Sequence, residues 1–136
     1  MTPKEYLAQY GRLNREIDRL LEEKARWFAL AARVTPTLSQ EPKGGGGGDR
    51  LQLAVEKIAE VEDKINAQID RLVDLRQEIE EKLSALPDSK QKEVLHRRYI
   101  LGQKWEEIAV QMDLDYRWIL RIHGKALLQL TIESHP

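Results

Sequence analysis

Arg117 and Arg121 are the residues whose type and spacing bear chemistry most plainly. They stand four positions apart, so on a helix they share one face. Each guanidinium is a planar fork of donors that fits two acceptors held side by side, as on O6 and N7 of guanine. Tyr116, just ahead of them, can hydrogen-bond a phosphate or lie against a sugar. Lys125, a turn beyond Arg121, is placed to meet a phosphate backbone. Leu120 shares this outward set and can touch a thymine methyl. Trp118 falls at its margin. Lys104, Arg97 and Arg98 lie in the preceding segments, where helices leading into such a site approach phosphates. Ordinary solvated surface is the competing reading for every one of these cations.

Catalytic chemistry has no comparable set. The histidines His96, His123 and His135 are scattered and lack metal-ligand spacing. His123, in Ile-His-Gly-Lys, reads as a helix-packing residue. Glu106 and Glu107 fall in the first turn of a helix, where acids complement the helix dipole. There is no cysteine and no serine in a nucleophile elbow. The expectation is a protein that is not an enzyme and needs no cofactor or metal.

The outward set must be held by something. From Lys104 to Leu130 the pattern is two helices joined by a tight turn. Trp105, Ile108, Ala109, Met112 and Leu114 form the first apolar stripe. Ile119, Ile122, Ala126, Leu127 and Leu130 form the second, at spacings of three and four. Asp115 is placed as the N-cap of the second helix. Asp113 stands where a left-handed residue is needed, and Asp is among the few non-glycine types that tolerate it.

With Leu86-Pro87, Val94-Leu95, Arg98-Tyr99, Gly102, Glu106-Glu107-Ile108-Ala109, Leu114, Ile119 and Lys125-Ala126-Leu127, the run from Leu86 to Leu130 resembles region 4 of bacterial sigma factors. That region is the helix-turn-helix that reads the upstream promoter element. Over nearly its whole length the chain is more specifically similar to the RinA/ArpU-type phage regulators of late transcription in Gram-positive hosts. WEEIA, RIHGKAL and VEKIAEVEDKINAQIDRLVDLRQEI carry that similarity. The resemblance implies that Tyr116, Arg117, Trp118, Leu120, Arg121 and Lys125 occupy base- and phosphate-contacting positions. It implies an activator that binds promoter-proximal double-stranded DNA and touches host RNA polymerase. Two departures stand out. Trp118 and Leu120 are apolar where sigma factors carry polar or basic residues, and Lys104 replaces the usual Ser or Thr. Sigma factors also need a region that melts promoter DNA, and this chain has nothing resembling it.

Ahead of this segment the chain reads as two long helices. Tyr6, Tyr10, Leu13, Ile17, Leu20, Lys24, Trp27, Ala31 and Val34 make a seam in fours and threes over residues 3–34. A matching seam runs from Leu51 through Ala54, Ile58, Val61, Ile65, Gln68, Leu72, Leu75, Ile79 and Lys82 to Leu86. Leu7, Leu21 and Phe28 widen the first; Val55, Ile69 and Leu83 lie beside the polar breaks of the second. Between them, Thr35-Pro36 predicts a helix end and the glycines Gly44 to Gly48 predict a mobile reversal, giving a linker over 35–49. Pro87 separates this antiparallel hairpin from a third helix over 89–101 that Gly102 caps. The fold class is therefore all-α: a hairpin arm over 1–86, then a helix-turn-helix domain over 87–136. Trp27 beside Phe28 points to a part of the arm that meets a second protomer or a host protein, since adjacent residues cannot both face one helix.

Composition bounds the function class. The chain has 136 residues, a third of them charged, and a net charge of −1. Residues 87–136 hold 8 Lys and Arg against 7 Asp and Glu, so any DNA case rests on where charges sit and not on their sum. No apolar run has the length of a membrane span and no signal-peptide core is present, so a cytoplasmic protein without membrane contact is expected. Two other classes fit the same pattern. One is a small-terminase-like packaging protein; the other is an interaction module whose helices bind a host protein such as RNA polymerase.

Overall fold

A computed structural model describes the backbone of residues 1–40 and 45–130, and the side chains of residues 1–34 and 47–130. The described residues are helical, with no strand. α1 spans Pro3–Gln40, α2 Gly45–Ser84 and α3 Ser89–Leu95, which passes directly into a π-helical turn over His96–Ile100. α4 spans Trp105–Met112 and α5 Tyr116–Gln129.

Two boundaries differ from the sequence expectation. α1 runs through Thr35 and Pro36 to Gln40, and α2 already includes Gly45 to Gly48. The linker expected over 35–49 is therefore helical outside residues 41–44. A helix past its nucleus gains one bond per residue added, which offsets a single missing donor at proline and the roughly 1 kcal/mol disadvantage of each glycine. The mobility expected of Pro42 and Gly44 concerns residues outside those described.

Compactness divides the chain into Met1–Leu13 with Leu72–Pro136 as one unit and Asn14–Arg71 as the other. The division cuts across both long helices, whereas the sequence reading places it at Pro87. In the second unit Leu20, Val61 and Ile65 form a small core, with Trp27 packed against it. Lys24 bridges to Glu62 at 3.3 Å beside that core.

The first unit has two cores. One joins Tyr6, Leu7 and Tyr10 of α1 to Leu75, Ile79 and Leu83 of α2, and these to Leu86, Leu95, Ile100, Ala126 and Leu130. Leu83 and Leu86, at the end of the long helices, thus pack with residues of the last helices. The first turns of α1 join them, which the sequence reading did not foresee. Polar bonds fix this register: the Tyr6 hydroxyl donates to Glu78 at 2.9 Å, and Arg76 donates to the Tyr10 hydroxyl at 3.0 Å. Leu7, Ile79 and Leu95 are fully buried, and each contributes about 1.5–3 kcal/mol of transfer free energy. The second core is Val94, Ile108, Ile119 and Ile122, with Trp105, Ala109, Met112 and Leu114 against it.

Caps mark where each short helix starts. Asp88 accepts from the N–H of Lys90 at 2.9 Å and of Gln91 at 3.1 Å, so α3 begins on an Asp cap one residue after Pro87. At the far end Leu101 N–H reaches His96 O, and Gly102 takes φ +70. Only glycine enters that region freely, so the chain turns there at little cost.

Candidate nucleic-acid interface

α5 is placed by its buried side. Ile119 and Ile122 enter one core, and Ala126 and Leu130 enter the other, so the helix is clamped along its length. The turn before it is a left-handed stop. Asp113 sits at φ 53, ψ 48, and Leu114 N–H bonds back to Ala109 O at 3.0 Å. Asp115 then caps α5, its carboxylate accepting the Arg117 N–H at 3.2 Å. Both aspartates take the positions that their chemistry predicts.

Rigid placement of the buried side fixes what the other side presents. Tyr116, Arg117, Trp118, Leu120, Arg121, Gly124 and Lys125 are all exposed. Leu114, Asp115, Arg117, Trp118 and Arg121 line an open depression of about 410 Å³ at the start of the helix. Among the described residues no carboxylate pairs with Arg117, Arg121, Lys125 or Lys104. Their donors are therefore available to an external acceptor. Gly124 lies seven residues after Arg117 on the same face, and a Cβ there would meet nothing within 4 Å. No neighbour in the fold requires glycine there.

The earlier basic residues behave differently. Arg97 donates to Glu93 at 2.7 Å. Arg98 donates to the Gln103 carbonyl at 3.0 Å and stacks over the Trp105 ring at 4.4 Å. Both are half-buried. The structure thus ties Arg98 into the joint between the π turn and α4, a role that sequence spacing did not reveal. Lys104, at the start of α4, stays exposed. Its backbone N–H donates to Glu107 Oε1 at 3.0 Å, so Glu107 works as a helix-start residue.

Behind the exposed face lies an aromatic joint. The Tyr99 hydroxyl and His123 Nε2 are 2.8 Å apart, and the Trp105 ring meets the His123 imidazole edge-on at 4.6 Å. This joint holds the π turn, α4 and the middle of α5 in one arrangement. Burial pushes the His123 pKa down to about 4, with Lys4 and Arg98 adding repulsion. Burial likewise raises the Tyr99 pKa. His123 is thus a neutral packing residue at pH 7, as its sequence context predicts, with a tyrosine hydroxyl as its partner. Among the described residues no group of His, Asp and Glu is arranged to hold a metal. None of the described helices is long and apolar enough to cross a membrane.

No family model, curated protein or solved structure matches this chain.

Proposed function

We propose that the chain is a sequence-specific regulator of transcription, of phage or prophage origin, that binds promoter-proximal double-stranded DNA. In this reading α1 and α2 form a hairpin arm, α4 and α5 form a helix-turn-helix, and α5 enters the major groove. The observation that carries the reading is the pairing of faces on α5. Its buried side is clamped by two cores, while Arg117 and Arg121 stand at i and i+4 on the open side with no carboxylate partner among the described residues. A rigid helix offering two free guanidinium forks suits base readout, and each good bidentate contact is worth about 1–3 kcal/mol.

The roles divide by chemistry. Arg117 and Arg121 read guanine edges, and Leu120 adds an apolar contact to a thymine methyl. Tyr116, Lys125 and Lys104 bind phosphates and set register. Arg97 and Arg98 act mainly within the fold, holding α4 where its first turn can approach the backbone. Activation of late genes, and contact with host RNA polymerase, rest on the resemblance to phage late regulators. Purified protein and its Arg117→Ala/Arg121→Ala variant, titrated against a selected DNA site, test the reading. The variant should bind at least about thirtyfold more weakly while keeping its helix content. Equal affinity would remove α5 as the reading helix.

One observation favours a second reading. Trp118 is 45% exposed and Leu120 is 38% exposed, beside the arginines. Exposed tryptophan and arginine together are the composition of protein-binding hot spots. In that reading the same face of α5 docks on a host protein. Loss of partner capture on Trp118→Ala, with DNA binding intact, would favour it.

A further inference from the structure

The segment of the long helices within Asn14–Arg71 leaves one side unfinished. Tyr6 meets Glu78, Tyr10 meets Arg76 and Lys24 meets Glu62, so α1 and α2 run antiparallel. Each residue that follows a seam position is rotated by about 100°. In antiparallel neighbours these rotations have opposite sense and bring the following residues to one common side. That side carries Leu21, Ala25 and Phe28 from α1 with Val55, Ala59 and Ile69 from α2. The large ones are 47% (Leu21), 52% (Phe28), 54% (Val55) and 40% (Ile69) exposed. The other side of the same pair, from the residues that precede the seam, carries Arg19, Arg26, Lys57 and Lys64, with Leu30 and Leu53 exposed among them. Val55 and Ile69 lie beside the polar breaks of the α2 seam without being buried there. They stand in the open instead.

We infer that this side is an interface with a second copy of the same chain, which closes the pair into a four-helix assembly. Three properties select a copy over an unlike partner. First, charge: on this side Lys24 lies 3.3 Å from Glu62 and 5.8 Å from the Phe28 ring centroid, so its cation is already neutralised. Asp18 is the other charged residue on this side, so the strip offers little charge to a strongly acidic or basic partner. Second, shape: leucine, phenylalanine, valine and isoleucine stand beside Ala25 and Ala59, with Glu62 and Asn66 as the polar residues between Ala59 and Ile69. Such a surface interdigitates with itself, large side chains over small, as layers do in helix bundles. Third, size: from Val55 to Ile69 the strip is about 20 Å long, and two helices make it about 20 Å wide. Two such faces bring together about 800 Å², the size of a weak, reversible interface.

The interface does not depend on the DNA reading and survives its failure. Sedimentation analysis of the full chain across the micromolar range tests it. Wild type should sediment as a dimer. Phe28→Glu should weaken association by about a hundredfold with unchanged helix content. Ile69→Ser, a milder change, should shift it in the same direction. Leu53→Glu, an equally exposed leucine on the charged side, should leave the dimer intact. A monomeric wild type would overturn the proposal and leave the strip to an unlike partner. A dimer that Phe28→Glu and Ile69→Ser leave untouched would overturn it too.

Discussion

The Tyr99 hydroxyl and the His123 imidazole meet at 2.8 Å across 24 residues of sequence, with Trp105 edge-on to the same ring. This joint connects the helix that carries the exposed arginines to the segment before it. Replacing Tyr99 with Phe removes the bond and leaves a half-buried ring nitrogen unpaired. The expected cost is about 1 kcal/mol, read as a lower denaturation midpoint in urea.

The same ring predicts a pH dependence. His123 titrates near 4 when folded, against 6.5 when unfolded, because burial disfavours its cation. Between those values the unfolded chain holds the extra proton. Stability from this group is therefore fully present above pH 6.5 and is lost as pH falls toward 4. Denaturation midpoints of wild type should fall between pH 7 and pH 5 more steeply than those of His123→Gln. Parallel curves would contradict the assignment.

Much of the fold is legible in the sequence, for local reasons. Asp113 is left-handed and Asp115 is a cap because the turn between two apolar stripes leaves those positions few alternatives. The inward set of α5 follows from helical period alone. What could not be read is non-local. Tyr6, Leu7 and Tyr10 share a core with Leu95, Ile100, Ala126 and Leu130 as well as with the α2 seam, and no periodicity within α1 announces those further partners. Arg98 looked like surface because its stacking on Trp105 depends on a π turn that no local pattern marks. Continuation of α1 through Pro36 is likewise a property of the whole helix and not of the Thr-Pro pair.

Asp113 gives a second stability test. At φ 53 a Cβ is strained, and glycine is not. Asp113→Gly should be neutral or stabilising by up to about 1 kcal/mol, whereas Asp113→Val, β-branched, should destabilise by more than that. Thermal melts of the two variants would separate these effects. Similar losses in both would mean that the aspartate side chain matters more than its backbone.

Gly124 separates stability from recognition. With nothing within 4 Å of a Cβ, Gly124→Ala should stabilise α5 by about 1 kcal/mol. Gly124→Leu should fold as well yet bind DNA less tightly, because it thickens the face that carries Arg117. Unchanged DNA affinity in Gly124→Leu would place the bound surface elsewhere.

Lys125 and Arg121 should differ in kind. Lys125→Ala should weaken binding about equally on all sequences and reduce the salt slope by about one. Arg121→Ala should relax preference at one base position. Titrations on matched and mismatched sites at several salt concentrations would read both.

The most direct test of the central claim is a genomic-fragment binding selection. Purified protein is mixed with sheared phage and bacterial DNA at two salt concentrations, and the retained fragments are sequenced. Enrichment of a few promoter-proximal fragments that survives the higher salt is the result this account predicts. Uniform retention that salt abolishes, or no retention, would contradict sequence-specific reading by α5.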